Sequence, residues 1–144
     1  MTPSSPPFAT SVRFRVVIGA ADLGSFTTCD GLDCQVEVEE HWEGGMGTHP
    51  WILPTRLRYS NIVLTRPLTA GAVAVWQWVQ AQVLVPDPTV GQIVALAPDH
   101  SPIVRWDLDR VVPVRWQGPS FSAEVSQAAM ETLELAHHGF LVAG

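Results

Sequence analysis

Alternation with a period of two recurs along most of this chain, and the breaks between alternating runs are too short for parallel crossovers. Val12, Phe14, Val16 and Ile18 alternate with Arg13, Arg15 and Val17, the pattern of a half-buried strand. Gly19 to Asp22 reads as a turn and Leu23 to Thr28 as the returning strand of a hairpin. A second alternation runs from Cys34 to Trp42. Val36, Val38, Glu40 and Trp42 share one face, and Gln35, Glu37, Glu39 and His41 share the other. Gly91 to Ala97 and Ile103 to Leu108 form another hairpin across Pro98-Asp99-His100-Ser101-Pro102. Strands joined this tightly pair antiparallel, because a parallel connection needs a dozen or more residues.

The remaining segments fit the same plan. Arg56 to Arg66 is β in character, but Leu57 and Tyr59 keep one phase and Ile62 and Leu64 the other. The slip at Ser60-Asn61 predicts a β-bulge. Val111 to Trp116 reads as a short strand with Pro113 at an edge or bulge. Gln117-Gly118-Pro119 breaks it, and Ala129 to His137 is the last strand. One helix is predicted, capped by Thr69 and running from Ala70 to about Val85 before Pro86 and Pro88 stop it. Val73, Trp76, Val79 or Gln80, and Val83 recur at helical spacing, so Trp76 is expected toward the core and Trp78 toward solvent or another subunit. The expected fold is mainly β: an antiparallel β-sandwich or barrel of roughly seven to nine strands with one flanking helix. Residues 1–11 read as a flexible N-terminal arm and 12–144 as one domain.

Between the second and third alternating runs lies Glu43-Gly44-Gly45-Met46-Gly47-Thr48-His49-Pro50-Trp51-Ile52-Leu53-Pro54. Its glycines allow sharp bends. Trp51, Ile52 and Leu53 are apolar residues in an expected loop, so the loop must pack on its own domain or on a neighbour. The Glu37/Glu39/His41 face is either an outer surface or the wall of a wet channel, and the alternation does not choose.

Composition narrows the function. Charged residues are 15% of the chain, against about a quarter in an average domain. A surface so poor in charge fits an oligomer, and equally a monomer with a large core. Net charge is −6 and all eight positive residues are arginines. That balance argues against a nucleic-acid-binding face, which needs a basic patch. No apolar run approaches a membrane span, and no secretory pattern opens the sequence. Assembly in the cytoplasm is therefore expected. Cys29 and Cys34 are expected as free, buried thiols, with a disulfide across the tight turn between them as the alternative.

The search for chemistry finds no site. Gly44-Gly45-Met46-Gly47 lacks a following Lys-Ser/Thr and precedes no helix, so it is no phosphate loop. There is no G-x-S-x-G elbow. His137 and His138 are adjacent and point to opposite faces of a strand, which makes them poor co-ligands. Glu131 and Glu134 fall on opposite faces as well. Glu37 and Glu39 share a face about 7 Å apart, close enough for a carboxylate dyad, but nothing accompanies them and a solvated face is the better reading. Trp106 and Trp116 each follow an arginine and are expected to pack in the core or at an edge, with cation–π contacts available. No catalytic residue, cofactor or metal site is expected.

Several short pieces, in order, give the chain a family resemblance. They include Phe14-Arg15-Val16-Val17-Ile18, Leu23-Gly24-Ser25-Phe26, Cys29-Asp30-Gly31-Leu32, Glu43-Gly44-Gly45 and Leu53-Pro54-Thr55-Arg56. Further on come Tyr59-Ser60-Asn61-Ile62, Leu64-Thr65-Arg66-Pro67, Val112-Pro113-Val114-Arg115-Trp116 and Met130-Glu131-Thr132-Leu133-Glu134-Leu135-Ala136-His137-His138-Gly139-Phe140. With these the chain resembles the T4-type tail tube proteins of contractile phage tails and extracellular contractile injection systems. The resemblance implies a structural protein, not an enzyme. It implies a homo-hexameric ring in which each subunit adds strands to one large barrel, and rings stacked into an inner tube for cargo delivery. It places the Glu43 to Pro54 loop, with Gly44, Gly45, Met46, Gly47, Trp51, Ile52 and Leu53, against an adjacent ring or subunit. Glu37 and Glu39 become candidates for the lumen wall, which the net charge suggests is acidic. The closing segment looks closest to the baseplate-proximal, tube-initiating type; a hub or adaptor ring and the repeated main-tube subunit are the alternatives. Expected partners are adjacent rings, baseplate and spike hub proteins and a surrounding sheath, in a particle that needs no nucleic-acid contact and no membrane insertion.

Overall fold

The computed structural model describes residues 12–42, 44, 47, 49–118 and 129–141. The N-terminal arm, together with Glu43, Gly45 and Met46 of the expected contact loop, lies outside them.

The chain begins with β1 (Arg13–Ile18) and β2 (Ala21–Phe26), the expected hairpin. A three-residue strand, β3 (Thr28–Asp30), follows. Then come β4 (Cys34–His41), β5 (Trp51–Tyr59) and β6 (Ile62–Pro67), the helix α1 (Ala72–Leu84), and β7 (Thr89–Leu96), β8 (Pro102–Gln117), β9 (Met130–Ala136) and β10 (Phe140–Leu141). Every pairing is antiparallel, so mainly β with one helix is what the chain adopts.

Seven strands form one path in the order β2-β1-β7-β8-β9-β6-β3, with β10 pairing beside β8. The path folds over on itself because β8 serves two partners. Its first part pairs with β7, from Pro102 opposite Leu96 to Val111 opposite Thr89. Its second part pairs with β9, from Val112 opposite Ala136 to Gln117 opposite Thr132. Arg110 lies just before this handover, inside the register shift between Leu108 and Val111, at φ 50°, a left-handed conformation that costs a non-glycine residue energy and bends the strand. The sequence predicts two strands here; the structure has one long strand with a corner. The register slips again between Pro113 and Arg115, the bulge that Pro113 signals.

The two layers meet through Val16, Ile18, Leu23, Phe26 and Ile93 on one side and Ile62, Leu64, Leu133 and Leu135 on the other, all fully or almost fully buried. The period-two pattern supplies Val16, Ile18, Ile62, Leu64, Leu133 and Leu135, whereas Leu23 and Phe26, three apart, both reach the core because the β1–β2 register shifts beside Leu23. The phase slip at Ser60-Asn61 has a different cause from the expected bulge. Tyr59 ends β5, Ile62 begins β6, and the two strands belong to different sheets.

The helix corrects a second expectation. Val75 is fully buried and Trp78 is 7% exposed, whereas Trp76 is 44% exposed. The core-facing stripe is 75/78/79, and Val73, Trp76 and Val83 lie outside. Both stripes are apolar, so spacing alone could not rank them. Burial goes to Val75 and Trp78 because α1 packs on β2 and β8 through that face. Thr69 acts one step earlier than a cap of the first helical turn: its Oγ1 accepts from Gly71 N at 3.2 Å, and Gly71 is the N-cap.

Candidate assembly surface

β4 and β5 stand apart from the main path as a two-stranded ribbon. The ribbon forms because Cys34 to His41 alternates cleanly and Trp51 to Tyr59 returns in register, Cys34 opposite Tyr59 and His41 opposite Trp51. Trp51, Ile52 and Leu53 are therefore strand residues and not the expected loop, since the pairing runs out to the ribbon's far end. Pro54 is tolerated because the register slips beside it, between Glu37 and Val38, where a missing ladder donor costs little. Thr55 fills the irregularity by donating its hydroxyl to the Glu37 carbonyl at 3.0 Å.

Cross-strand partners share a face, so the register defines both faces. One carries Gln35, Glu37, Glu39, His41, Leu53, Arg56, Arg58 and Trp51; the other carries Val36, Val38, Pro54, Leu57, Glu40 and Ile52. Glu37 is clasped by two arginines: Arg56 Nε lies 2.8 Å from its Oε2, and Arg58 Nε pairs with its Oε1. Glu39 faces the ring of His41 at 3.3 Å. On this face two arginines thus offset the two glutamates. The arginines were in plain sight in Arg56-Leu57-Arg58; hairpin register is the signal that would have matched them to Glu37.

The apolar face is bare: Val36 is 49% exposed, Val38 58%, Ile52 and Leu57 comparably so. Trp51 and Leu53 are exposed as well, and Gly44 and Gly47 lie exposed in the connection between the strands. The structure thus brings Trp51, Ile52 and Leu53 onto the same ribbon as Glu37 and Glu39. Among the described residues each ribbon strand keeps one edge unpaired. Two isolated strands are marginal in water, and a long exposed edge is a template for pairing.

A second bare surface lies on the helix. Trp76 packs against Trp116 with ring centroids 5.4 Å apart, and Ala72 and Val73 complete a shallow apolar pocket around them.

Sequence reasoning missed the charged group at the centre of the sandwich. Arg66 Nε donates to Glu131 Oε1 at 2.7 Å, and Trp116 Nε1 donates to Glu131 Oε2 at 2.8 Å. Arg66 Nη1 reaches the Leu23 carbonyl at 2.9 Å, and its guanidinium lies 4.2 Å from the Phe26 ring centroid. Gly24, at φ 84°, leaves room for it: a Cβ there would stand 2.8 Å from Nη1. The available signal was phase, because Arg66 keeps the phase of buried Ile62 and Leu64, and Glu131 that of buried Leu133 and Leu135.

Both cysteines are free, but only Cys29 is partly buried; Cys34 is exposed, contrary to expectation. Burial first, and the charge of Asp30 second, push the Cys29 thiol up to about 12. His137 Nδ1 accepts from Gly139 N at 3.0 Å and its Nε2 faces the Ser60 carbonyl at 3.2 Å, so it is a structural tie. Among the described residues no cluster of three or more His, Cys, Asp or Glu is placed to hold a metal, and no helix is long and apolar enough to cross a membrane.

Comparison with known proteins agrees with this geometry. Comparison with curated proteins returned no match. Among solved structures, a chain of the six-fold symmetrised baseplate of the anti-feeding prophage superposes with a TM-score of 0.73 at 23% identity, covering 96% of each chain. A chain of the PVC sheath-tube complex, an extracellular contractile injection system in its extended state, gives 0.76 at 20% identity, over 94% of this chain and 90% of that one. A chain of the anti-feeding prophage tube-terminating cap gives 0.71 at 22% identity, over 94% and 89%. These likenesses establish the fold. The family described as T4-like virus tail tube protein gp19 matches residues 10–141, nearly the whole chain, and the chain therefore belongs to that family of structural tail tube proteins, which are not enzymes.

Proposed function

We propose that the chain is a ring-forming subunit of the inner tube of a contractile phage tail or phage-tail-like injection particle, assembling as a homo-hexamer. The observation that carries this reading is the β4–β5 ribbon, two long strands with unpaired outer edges and a bare apolar face. A ribbon of that kind is completed by strands from neighbours, and ring closure removes the open edges altogether. The charge-balanced face with Glu37, Glu39, Arg56 and Arg58 is the part of the ribbon suited to a wetted channel wall. Trp51, Ile52, Leu53 and the glycine-containing connection, at the ribbon's far end, are suited to contact with the adjacent ring or subunit.

Within the tube we assign the chain to the baseplate-proximal, tube-initiating ring, in contact with hub proteins below, further rings above and the sheath outside. The support is the resemblance of its Pro54-Thr55-Arg56 and C-terminal Glu134-Leu135-Ala136-His137-His138-Gly139-Phe140 stretches to that type. The test is light scattering and electron microscopy of the purified protein, followed by copy number in intact particles. Six-fold rings and six copies per particle support the assignment. Six-fold rings with many multiples of six make the chain the repeated tube subunit instead, and a chain that never associates overturns the ring reading.

A further inference from the structure

The helix contains no charged residue in its thirteen positions. A surface helix normally carries a charged stripe opposite its apolar one; here the polar side chains are only Gln77, Gln80 and Gln82, of which Gln80 lies beside Trp76 on the exposed face. Here one stripe is buried in the chain's own core through Val75 and Trp78, while Val73, Trp76 and Val83 remain exposed. The ribbon poses the same problem on another element: Val36, Val38 and Leu57 are bare, and the first charge on that face is Glu40 near the far end. The ribbon has no substantial contact with the helix of its own chain.

From these two surfaces we infer that the apolar face of the β4–β5 ribbon of one copy seats on the Val73/Trp76/Trp116 face of the next. The inference rests on the ring reading above and names the surfaces that join. A second copy is the occupant because each chain brings one ribbon face and one helix face, so a single repeated contact covers both and leaves none over. Such a contact between two different faces is heterologous, the kind that closes a ring. The helix carries no charge, and on the ribbon face Glu40 lies near the far end, where it can stay at the wetted rim of the contact without being desolvated. Their lengths also match: eight ribbon residues span about 26 Å and thirteen helical residues about 20 Å.

The experiment uses the full chain in a Cys34→Ser background, with Val38→Cys on the ribbon and Val73→Cys on the helix, treated with a short bis-maleimide. The expected result is a ladder of covalently linked copies ending at the ring size, with no ladder from either single cysteine. In parallel, Trp76→Glu should melt like the parent, since Trp76 is exposed in the single chain, yet lower ring formation at least tenfold. Rings that assemble fully with Trp76→Glu, or that form while the double-cysteine chain gives no ladder, overturn the inference and leave the ring reading standing. Helix-face cross-links that appear only with added sheath protein would give that face to the sheath and overturn it too. A parent chain that stays monomeric at every concentration overturns the ring reading, and this inference with it.

Discussion

Arg66 and Glu131 form an ion pair inside the sandwich, with side chains 6% and 0% exposed and Nε 2.7 Å from Oε1. The pair ties β6 to β9, which place the two residues directly opposite each other. Through Nη1 it also holds the Leu23 and Ser25 carbonyls of β2. Through Glu131 it holds Trp116 of β8. Four strands are thus fixed by one charged centre, while Arg66 Nη2 is buried with no hydrogen-bond partner among the described residues.

Removing one partner strands the other charge in the core. Glu131→Ala and Arg66→Ala should each destabilise the fold by about 3–5 kcal/mol, because a lone buried charge is penalised far more than a satisfied pair is rewarded. The double variant Arg66→Met/Glu131→Leu should lose less than either single variant, since it leaves no unpaired charge. Urea denaturation of the three proteins measures this. A double variant as unstable as the sum of the singles would show that packing around Phe26 and Trp116, and not charge, dominates the site.

The helix tests how far a sequence can be read. Its two apolar stripes are offset by one step, so periodicity located the helix and its end but could not choose between Trp76 and Trp78. The choice depends on which face β2 and β8 meet, which is tertiary information. Trp78→Ala should destabilise the chain by about 3–5 kcal/mol, as large core truncations do. Trp76→Ala should shift the melt of the unassembled protein far less. Paired thermal melts at low concentration distinguish the two, and equal losses would contradict the observed burial.

The strands inside the sandwich were legible for the opposite reason. Alternation through Val16 and Ile18, Ile62 and Leu64, and Leu133 and Leu135 names the buried face without knowledge of the partner. The ribbon's first strand was legible too, and the Arg56–Tyr59 part of its second, but not its isolation: Val36 and Val38 alternate like core residues and are bare, because alternation reports that a face is meant to be covered and not by which chain. The arginines facing Glu37 were hidden because register across a hairpin depends on the length and geometry of the connection.

The two cysteines should behave as different reagents. Cys34 is exposed, and Cys29 is held protonated by burial and by Asp30, its thiol pushed up from 9.0 to about 12. At pH 8 a maleimide should therefore label Cys34 promptly and Cys29 only on unfolding. Linkage gives the sign for stability. The folded state binds the Cys29 proton more tightly than the unfolded chain, so this contribution is intact below about pH 9 and declines as pH rises toward 12. Cys29→Ser should flatten that alkaline decline. Rapid labelling of Cys29 in the native protein would show that its strand opens readily.

The direction in which the ribbon leaves the sandwich is set by a small clasp where β5 gives way to β6. Ser60 Oγ donates to Asp33 Oδ1 at 2.7 Å and Asn61 Nδ2 to Glu134 Oε2 at 2.9 Å. The Tyr59 ring meets Phe140 edge-on at 5.2 Å and His137 at 5.5 Å. With Nδ1 accepting from Gly139, His137 is free to donate from Nε2 to the Ser60 carbonyl. Gly31, at φ 99°, lies so close to the Asn61 carbonyl that any Cβ would collide with it. His137→Ala removes a half-buried ring with two hydrogen bonds and should lower the melt by about 1 kcal/mol, while speeding amide exchange through β4 and β5. Gly31→Ala should do both: strain the backbone by about 1–3 kcal/mol and loosen the ribbon. Hydrogen exchange read strand by strand separates the effects. Unchanged protection of β4 and β5 in His137→Ala would mean that the ribbon holds its angle without the histidine, through the Ser60–Asp33 and Asn61–Glu134 hydrogen bonds and the Tyr59–Phe140 contact.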